Sequence, residues 1–266
     1  MTDTSVRGAV VVDRSGSIAT LRIDRPAVHN ALNTEILQQI WDAIASLLQS
    51  SNVRAIVLTG TGDRAFSAGA DLEELADLSE DEARTVLGKG QQVIRRIEQC
   101  PVPIIAAVNG IALGGGFELV LACSFAVAST NAAFALPESG LGLIPGYGGT
   151  QRLARIVGPA VARYVMLTGE RISADRAYQL GITVLPPVEL DQLLPSAIDI
   201  AETIAGRGPN ACRVILQAVD QGIDSSLDSA LALETRLAAT AVAGAESSEG
   251  IAAFRQKRRP DFGSLR

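Results

Sequence analysis

Val108-Asn109-Gly110-Ile111-Ala112-Leu113-Gly114-Gly115-Gly116-Phe117-Glu118 runs from apolar residues through three glycines into a carboxylate. Consecutive residues without a Cβ let the backbone come close to a ligand and aim N–H groups at it. A helix starting within the glycines would add its unpaired N–H groups and its dipole, both of which favour negative charge at that spot. Glu118 then falls in the first helical turn, within reach of whatever those donors hold. Further on, Pro137-Glu138-Ser139-Gly140 leads into the glycine-rich stretch Leu141 to Gly149. We expect these two segments to form two walls of one site.

Outward from this centre, strands and helices alternate. Gly8 to Asp13 and Ser17 to Ile23 read as two strands of a hairpin across Arg14-Ser15-Gly16. Asn33 is placed to cap a helix whose Ile36, Leu37, Ile40, Trp41, Ile44, Leu47 and Leu48 fall at helical spacing. Val53 to Thr59 and Pro103 to Val108 are near-continuous apolar runs, as expected of strands covered on both faces. Asp71 to Leu78 and Asp81 to Gln99 read as helical, the second interrupted by Gly88 and Gly90, and Phe125 to Ser129 and Ala132 to Ala135 as strands. This alternation predicts an α/β core. Beyond Gly149 the pattern turns helical: Thr150 to Val157, Pro159 to Leu167, Ala174 to Leu180, Leu190 to Ala205, Pro209 to Gln221, Ser225 to Val242 and Ser247 to Arg258. Ile182 to Leu185 is the single late strand predicted.

Two motifs are decoys. Gly60-Thr61-Gly62-Asp63-Arg64-Ala65 fits a dinucleotide fingerprint, but that motif must open a helix, and Phe66-Ser67-Ala68-Gly69 is a poor helix. Ala65-Phe66-Ser67-Ala68-Gly69 resembles a nucleophile elbow, but the histidine of that fold follows its serine. His29, the sole histidine, precedes it and reads as a loop residue.

Composition narrows the function classes. Hydrophobic residues at 47% and charged residues at 20% of 266 suit a packed globular chain. A net charge of -6 argues against a nucleic-acid partner. Cys100, Cys123 and Cys212 are odd in number and unpaired in spacing, so neither a disulfide framework nor a zinc site is expected, and a reducing cytoplasm fits. Met1 to Arg14 lacks the apolar core of a signal peptide, and Leu119 to Ala128 is too short to span a bilayer. A soluble cytoplasmic protein with no membrane partner is the expectation.

Four segments in order carry a family resemblance: Arg25-Pro26 with Asn30-Ala31-Leu32-Asn33; Ala65 to Asp71; Asn109 to Glu118; and Pro137-Glu138 through Ile144-Pro145-Gly146, Gly148-Gly149-Thr150 and Gln151-Arg152-Leu153. On them the chain resembles the enoyl-CoA hydratase (crotonase) family over nearly its whole length. The resemblance implies an α/β fold made of a spiral of ββα units, with a helical C-terminal region that mediates oligomerisation. It divides the chain into a core over residues 1–195 and a trimerisation region over 196–266. A homotrimer or dimer of trimers is implied.

It also implies the chemistry. The N–H groups of Ala70 and Gly115 would hold a thioester oxygen as it becomes an enolate, the kind of stabilisation that oxyanion holes provide. Glu118 and Glu138 match the family's two acid/base glutamates, and Gly146 would donate its N–H to the reacting water. Glu118 at a helix start is expected to be ionised and to act as the base, and Glu138 among Leu136, Leu141 and Leu143 to stay protonated. Arg25, Val28, Ala68, Asp71 and Leu72, with Lys257 of the basic segment Arg255 to Arg259, are the positions implied for coenzyme A. Relatives often carry lysine where Ala27 and Glu73 stand here, so the phosphate contacts depart from the pattern. No metal or separate cofactor is expected, since coenzyme A enters with the substrate. The activity implied is hydration of a 2-enoyl-CoA. The alternatives are a hydratase or lyase acting on a branched or aromatic acyl-CoA, and an idle acyl-CoA binding protein.

Overall fold

The computed structural model describes residues 8–50 and 52–264. The first residues of the stretch expected to lack a leader lie outside them. The hairpin expected at the N-terminus is present: β1 (Ala9–Ser15) pairs antiparallel with β2 (Ile18–Asp24), with Ala9 opposite Asp24 and Ser15 opposite Ile18. Asn33 caps α1 (Thr34–Gln49), its side chain accepting the Ile36 N–H at 2.8 Å. Ile36, Leu37, Ile40, Ile44 and Leu47 form the buried face of that helix.

Three ββα units follow, and each gives one strand to each of two sheets. β3 (Ala55–Gly60) and β4 (Ala65–Ser67) precede α2 (Glu80–Glu98). β5 (Ile104–Val108) and β6 (Ile111–Leu113) precede α3 (Gly115–Ala122), and β7 (Phe125–Ala128) and β8 (Ala133–Ala135) precede α4 (Gly149–Val157). The first sheet has the order β1-β2-β3-β5-β7, and the second is β4-β6-β8-β9, where β9 is Ile172–Ser173. Pairing is parallel except for β1 with β2 and β8 with β9. The expected spiral of ββα units is therefore observed.

The apolar runs are explained by two-sided burial. In β3, Ile56 and Leu58 join the main core with α1 and α2, while Ala55 and Val57 face the other way. Side chains alternate across a strand, so a strand covered on both faces must be apolar at every position. The outer cover is α7 (Leu190–Ala205), whose Leu193, Ala197 and Ala201 pack beneath Ala55, Val57, Ile105 and Ala107. This helix continues through the boundary expected after residue 195, with Pro195 inside it.

After α4 come α5 (Pro159–Thr168), α6 (Ala174–Gln179), α7, α8 (Pro209–Gly222), α9 (Leu227–Val242) and α10 (Ala245–Arg255). Several expectations are corrected. The helix over Asp71 to Leu78 is only a 3-10 turn at Leu72–Glu74, capped by Asp71. Ile182 to Leu185 forms no strand, although the Val184 N–H reaches the Ala126 carbonyl. β4, β6 and β9 were not predicted, because two or three residues are too few to show a period. Gly88 and Gly90 do not interrupt α2. The reason at Gly90 is spatial, since a Cβ there would come within 2.2 Å of the Tyr147 ring. Among the described residues no helix is long and apolar enough to cross a membrane.

Candidate active site

The three glycines let two chain segments meet. Gly114 holds φ at 49°, a left-handed value, and turns β6 into α3, which begins at Gly115. A Cβ on Gly116 would sit 2.5 Å from the Ser67 carbonyl oxygen, so α3 abuts β4 as only glycine permits. The loop after β4 is pinned by a bridge between Leu32 and Ala70: Leu32 donates to the Gly69 carbonyl and Asp71 donates to Leu32. In such a parallel bridge the N–H of Ala70 itself points to the opposite side. That side holds Gly115, where a Cβ would lie 3.3 Å from the Ala70 nitrogen. As the first residue of a helix, Gly115 has no intrahelical acceptor for its own N–H.

Glu118 sits one turn into α3 with 1% of its surface exposed. Its Oε1 accepts the Tyr147 N–H at 2.8 Å and the Gly149 N–H at 2.6 Å, which ties α3 to the loop before α4. Burial pushes its pKa up to about 7, and the nearby Glu138 charge acts in the same direction, against the two N–H bonds and the Arg152 charge. The helix start therefore does not keep Glu118 strongly ionised, as the sequence suggests it should. Desolvation outweighs the dipole of an eight-residue helix.

Glu138 opens the 3-10 turn Glu138–Leu141 that follows β8. Burial raises its pKa as well, and among the described residues its Oε2 is buried with no hydrogen-bond partner. Both glutamates line one cavity of about 220 Å³ and, among the described residues, are the only charged ones on its walls. Ala68, Ala70, Gly115, Gly146 and Leu72 line it too, so seven of the positions picked from sequence converge there. The other walls are apolar, among them Leu75 and Leu78 and, from α2, Leu87.

Residues 13–265 match the family described as enoyl-CoA hydratase/isomerase. The chain is 40% identical over 253 residues to the crotonyl-CoA hydratase of Syntrophomonas wolfei, covering 95% of this chain and 97% of that one. It is also 40% identical over 255 residues to the 2,3-dehydroadipyl-CoA hydratase of Escherichia coli, covering 95% and 98%. The crystal structure of an enoyl-CoA hydratase from Bacillus anthracis superposes with a TM-score of 0.91 at 37% identity, over 95% of this chain and 98% of that one.

The chain belongs to the enoyl-CoA hydratase/isomerase family.

The remaining positions that the enoyl-CoA hydratase/isomerase pattern implies lie outside the cavity walls. Arg25 is 4% exposed, and its Nη1 donates to the Ala31 carbonyl at 3.0 Å and to Asp71 Oδ2 at 3.1 Å. That pair fixes the loop carrying Ala68 and Ala70. Val28 lies in a 3-10 turn, Pro26–Val28, ahead of the exposed His29, whose φ is 53°. Lys257 is exposed just past α10, a helix that packs on α9. Its neighbour Arg258 is held by both oxygens of Glu249, at 2.6 and 2.8 Å. Neither decoy gains support: Gly60 to Ala65 leads into β4 with no helix, and Ser67 is buried, accepting the Gly69 N–H.

Sequence reading missed Tyr147, which is 6% exposed and lines this cavity. It also missed the ion pair of Glu98 with Arg152 behind it. Tyr147 lies inside the Pro145 to Thr150 segment, where its bulk among glycines is the one available signal.

Proposed function

We propose that the protein adds water across the 2,3 double bond of a short-chain 2-enoyl-CoA to give a 3-hydroxyacyl-CoA. The observation that carries this reading is the pairing of two carboxylates, Glu118 buried and Glu138 half-buried, with two adjacent backbone donors around one apolar cavity. The N–H groups of Ala70 and Gly115 take the thioester oxygen as it gains charge, and removing one such donor typically costs about 3 kcal/mol. Burial raises the pKa of both carboxylates and the Glu138 charge raises that of Glu118 further, so the pair favours holding a proton between them. The two N–H bonds at Glu118 Oε1 favour charge on Glu118 and leave the proton with Glu138.

Glu118 thus takes a proton from water as its oxygen bonds to C3, and Glu138 gives its proton to C2 as the enolate collapses. The N–H of Gly146, on the cavity wall, orients the water. Arg25, Val28, Ala68, Asp71 and Leu72 shape the coenzyme A path, and Lys257 contacts its phosphates. A thioester with a terminal carboxylate, as in dehydroadipyl-CoA, is a poorer fit, since among the described residues the cavity walls carry no cation to pair with it.

The chain works as a trimer or dimer of trimers in the cytoplasm, its helices from α8 to α10 forming the subunit contacts. Ile215 and Val219 on α8 and Ile223 at its C-cap recur every fourth residue at 61%, 59% and 64% exposure, an apolar stripe that association would cover. Loss of enoyl-thioester ultraviolet absorbance on mixing with crotonyl-CoA tests the activity. No turnover, with binding retained, would leave an acyl-CoA binding protein. Sedimentation equilibrium tests the assembly, and a monomer at micromolar concentration would remove it.

A further inference from the structure

Tyr147 is held at both its backbone and its ring. Its N–H donates to Glu118 and its carbonyl accepts from Arg152 Nη1 at 2.7 Å. The ring fills the gap between α2 and the start of α3. A Cβ on Gly90 would fall 2.2 Å from its Cε1, and one on Gly115 would fall 3.1 Å from its Cδ2 and Cε2. Two glycines on separate elements thus make room for this side chain, which has little freedom to swing aside.

The same residue lines a second cavity. This space, of about 270 Å³, lies between α1 and α2 and is lined by Leu37, Val86 and Val93, with Lys89 and Arg96 among its polar residues. Tyr147 is therefore a partition between that space and the catalytic cavity of about 220 Å³. An apolar cavity of about 150 Å³ holds one benzene molecule. On that scale the catalytic cavity takes the thioester carbon, C2, C3 and only a few carbons more.

We infer that Tyr147 is the specificity-determining wall that restricts this site to short acyl chains, and that removing its ring opens the cavity behind it to longer ones. The inference rests on the reading of the catalytic cavity as an acyl-CoA site. It deepens that reading by assigning the chain-length limit to one side chain.

The test measures affinity for saturated butyryl-, hexanoyl-, octanoyl- and decanoyl-CoA by calorimetry, and kcat/KM for the corresponding 2-enoyl-CoA thioesters. The proteins are wild type, Tyr147→Phe, Tyr147→Leu and Tyr147→Ala, each checked for oligomeric state and Tm. Methylene discrimination in apolar pockets starts at about tenfold. Wild type should favour butyryl- over octanoyl-CoA, Tyr147→Phe should keep that preference, and Tyr147→Ala should shift the ratio toward octanoyl-CoA at least tenfold. Tyr147→Leu, which leaves less empty volume if the alanine variant folds poorly, should fall between.

Wild type that binds decanoyl-CoA as tightly as butyryl-CoA would overturn the inference. So would folded leucine and alanine variants that keep the wild-type ratio. Binding without turnover by wild type would instead overturn the hydratase reading, while the affinity ladder still decides the wall.

Discussion

Arg152 donates from Nη1 to the Tyr147 carbonyl at 2.7 Å while its Nε and Nη2 hold the two oxygens of Glu98 at 2.9 and 2.8 Å. The loop it fixes, Tyr147 to Gly149, supplies both N–H groups that hold Glu118. A helix-to-helix ion pair thus sets the position of a carboxylate it does not touch.

Arg152→Gln removes both the brace and a charge that favours ionised Glu118. The pKa of Glu118 should rise above its present value of about 7, and a base that must be ionised then fails at higher pH. The acid limb of kcat/KM should move upward, with a greater loss at pH 6 than at pH 9. Displacement of the loop adds a pH-independent loss of up to about 100-fold. A pH profile unchanged in shape would show that Arg152 has no hold on the carboxylate.

Gly116→Ala drives a Cβ to 2.5 Å from the Ser67 carbonyl oxygen, and neither backbone can yield easily. It should destabilise the fold by about 1–3 kcal/mol, the usual cost of overpacking. Gly88→Ala, in the middle of α2 with open space around it, should stabilise by about 0.5–1 kcal/mol. Urea unfolding of both variants checks the contrast, and equal effects would mean that α3 does not abut β4 as described.

How much of this was legible follows from the length of each signal. The Asn33 cap, the apolar stripe of α1 and the two-sided strands β3 and β5 extend over enough residues to show their periods. Most of the second sheet does not, because β4 and β6 have three residues each and β9 two, and all are defined by partners distant in sequence; only β8 is legible, from the apolar stretch Ala132 to Ala135. Within the site, Glu118 and Glu138 stood out because a carboxylate is unusual beside glycines in an apolar run. The balance of forces on Glu118 was not legible, since the depth of its burial depends on Tyr147 and Gly149 closing over it from the next unit. For the same reason Gly90 read as a helix breaker, although it is the seat of a ring from another segment.

Lys257 and Arg258 should separate when neutralised. Arg258 is engaged with Glu249 in its own subunit and Lys257 is free to approach a phosphate. Lys257→Ala should raise KM for crotonyl-CoA and reduce its salt dependence, because exposed charges are screened within about 10 Å at 0.1 M salt. Arg258→Ala should alter KM less. Equal, salt-independent effects would remove Lys257 from the coenzyme A path.

Glu118 gives the last prediction, which joins catalysis to stability. Its pKa stands at about 7 against an ordinary 4.5, so the folded chain holds this proton more tightly than the unfolded chain does. Between those two values the folded state binds more proton than the unfolded state, and stability falls as pH rises. Above the window the buried carboxylate costs about 3 kcal/mol, from about 1.4 kcal/mol per pKa unit. Glu118→Gln cannot ionise and lacks that slope. Relative to wild type it should gain stability at pH 8, up to about 3 kcal/mol, and gain none at pH 4. Its turnover should drop about 100-fold to 10,000-fold, as loss of a general base does, and Glu138→Gln should lose a similar factor as the missing acid. Urea unfolding at the two pH values and crotonyl-CoA absorbance decay read the two effects separately. A stability gain independent of pH would mean that Glu118 is not the desolvated group, and Glu138→Gln retaining more than about a tenth of turnover would end the two-carboxylate mechanism.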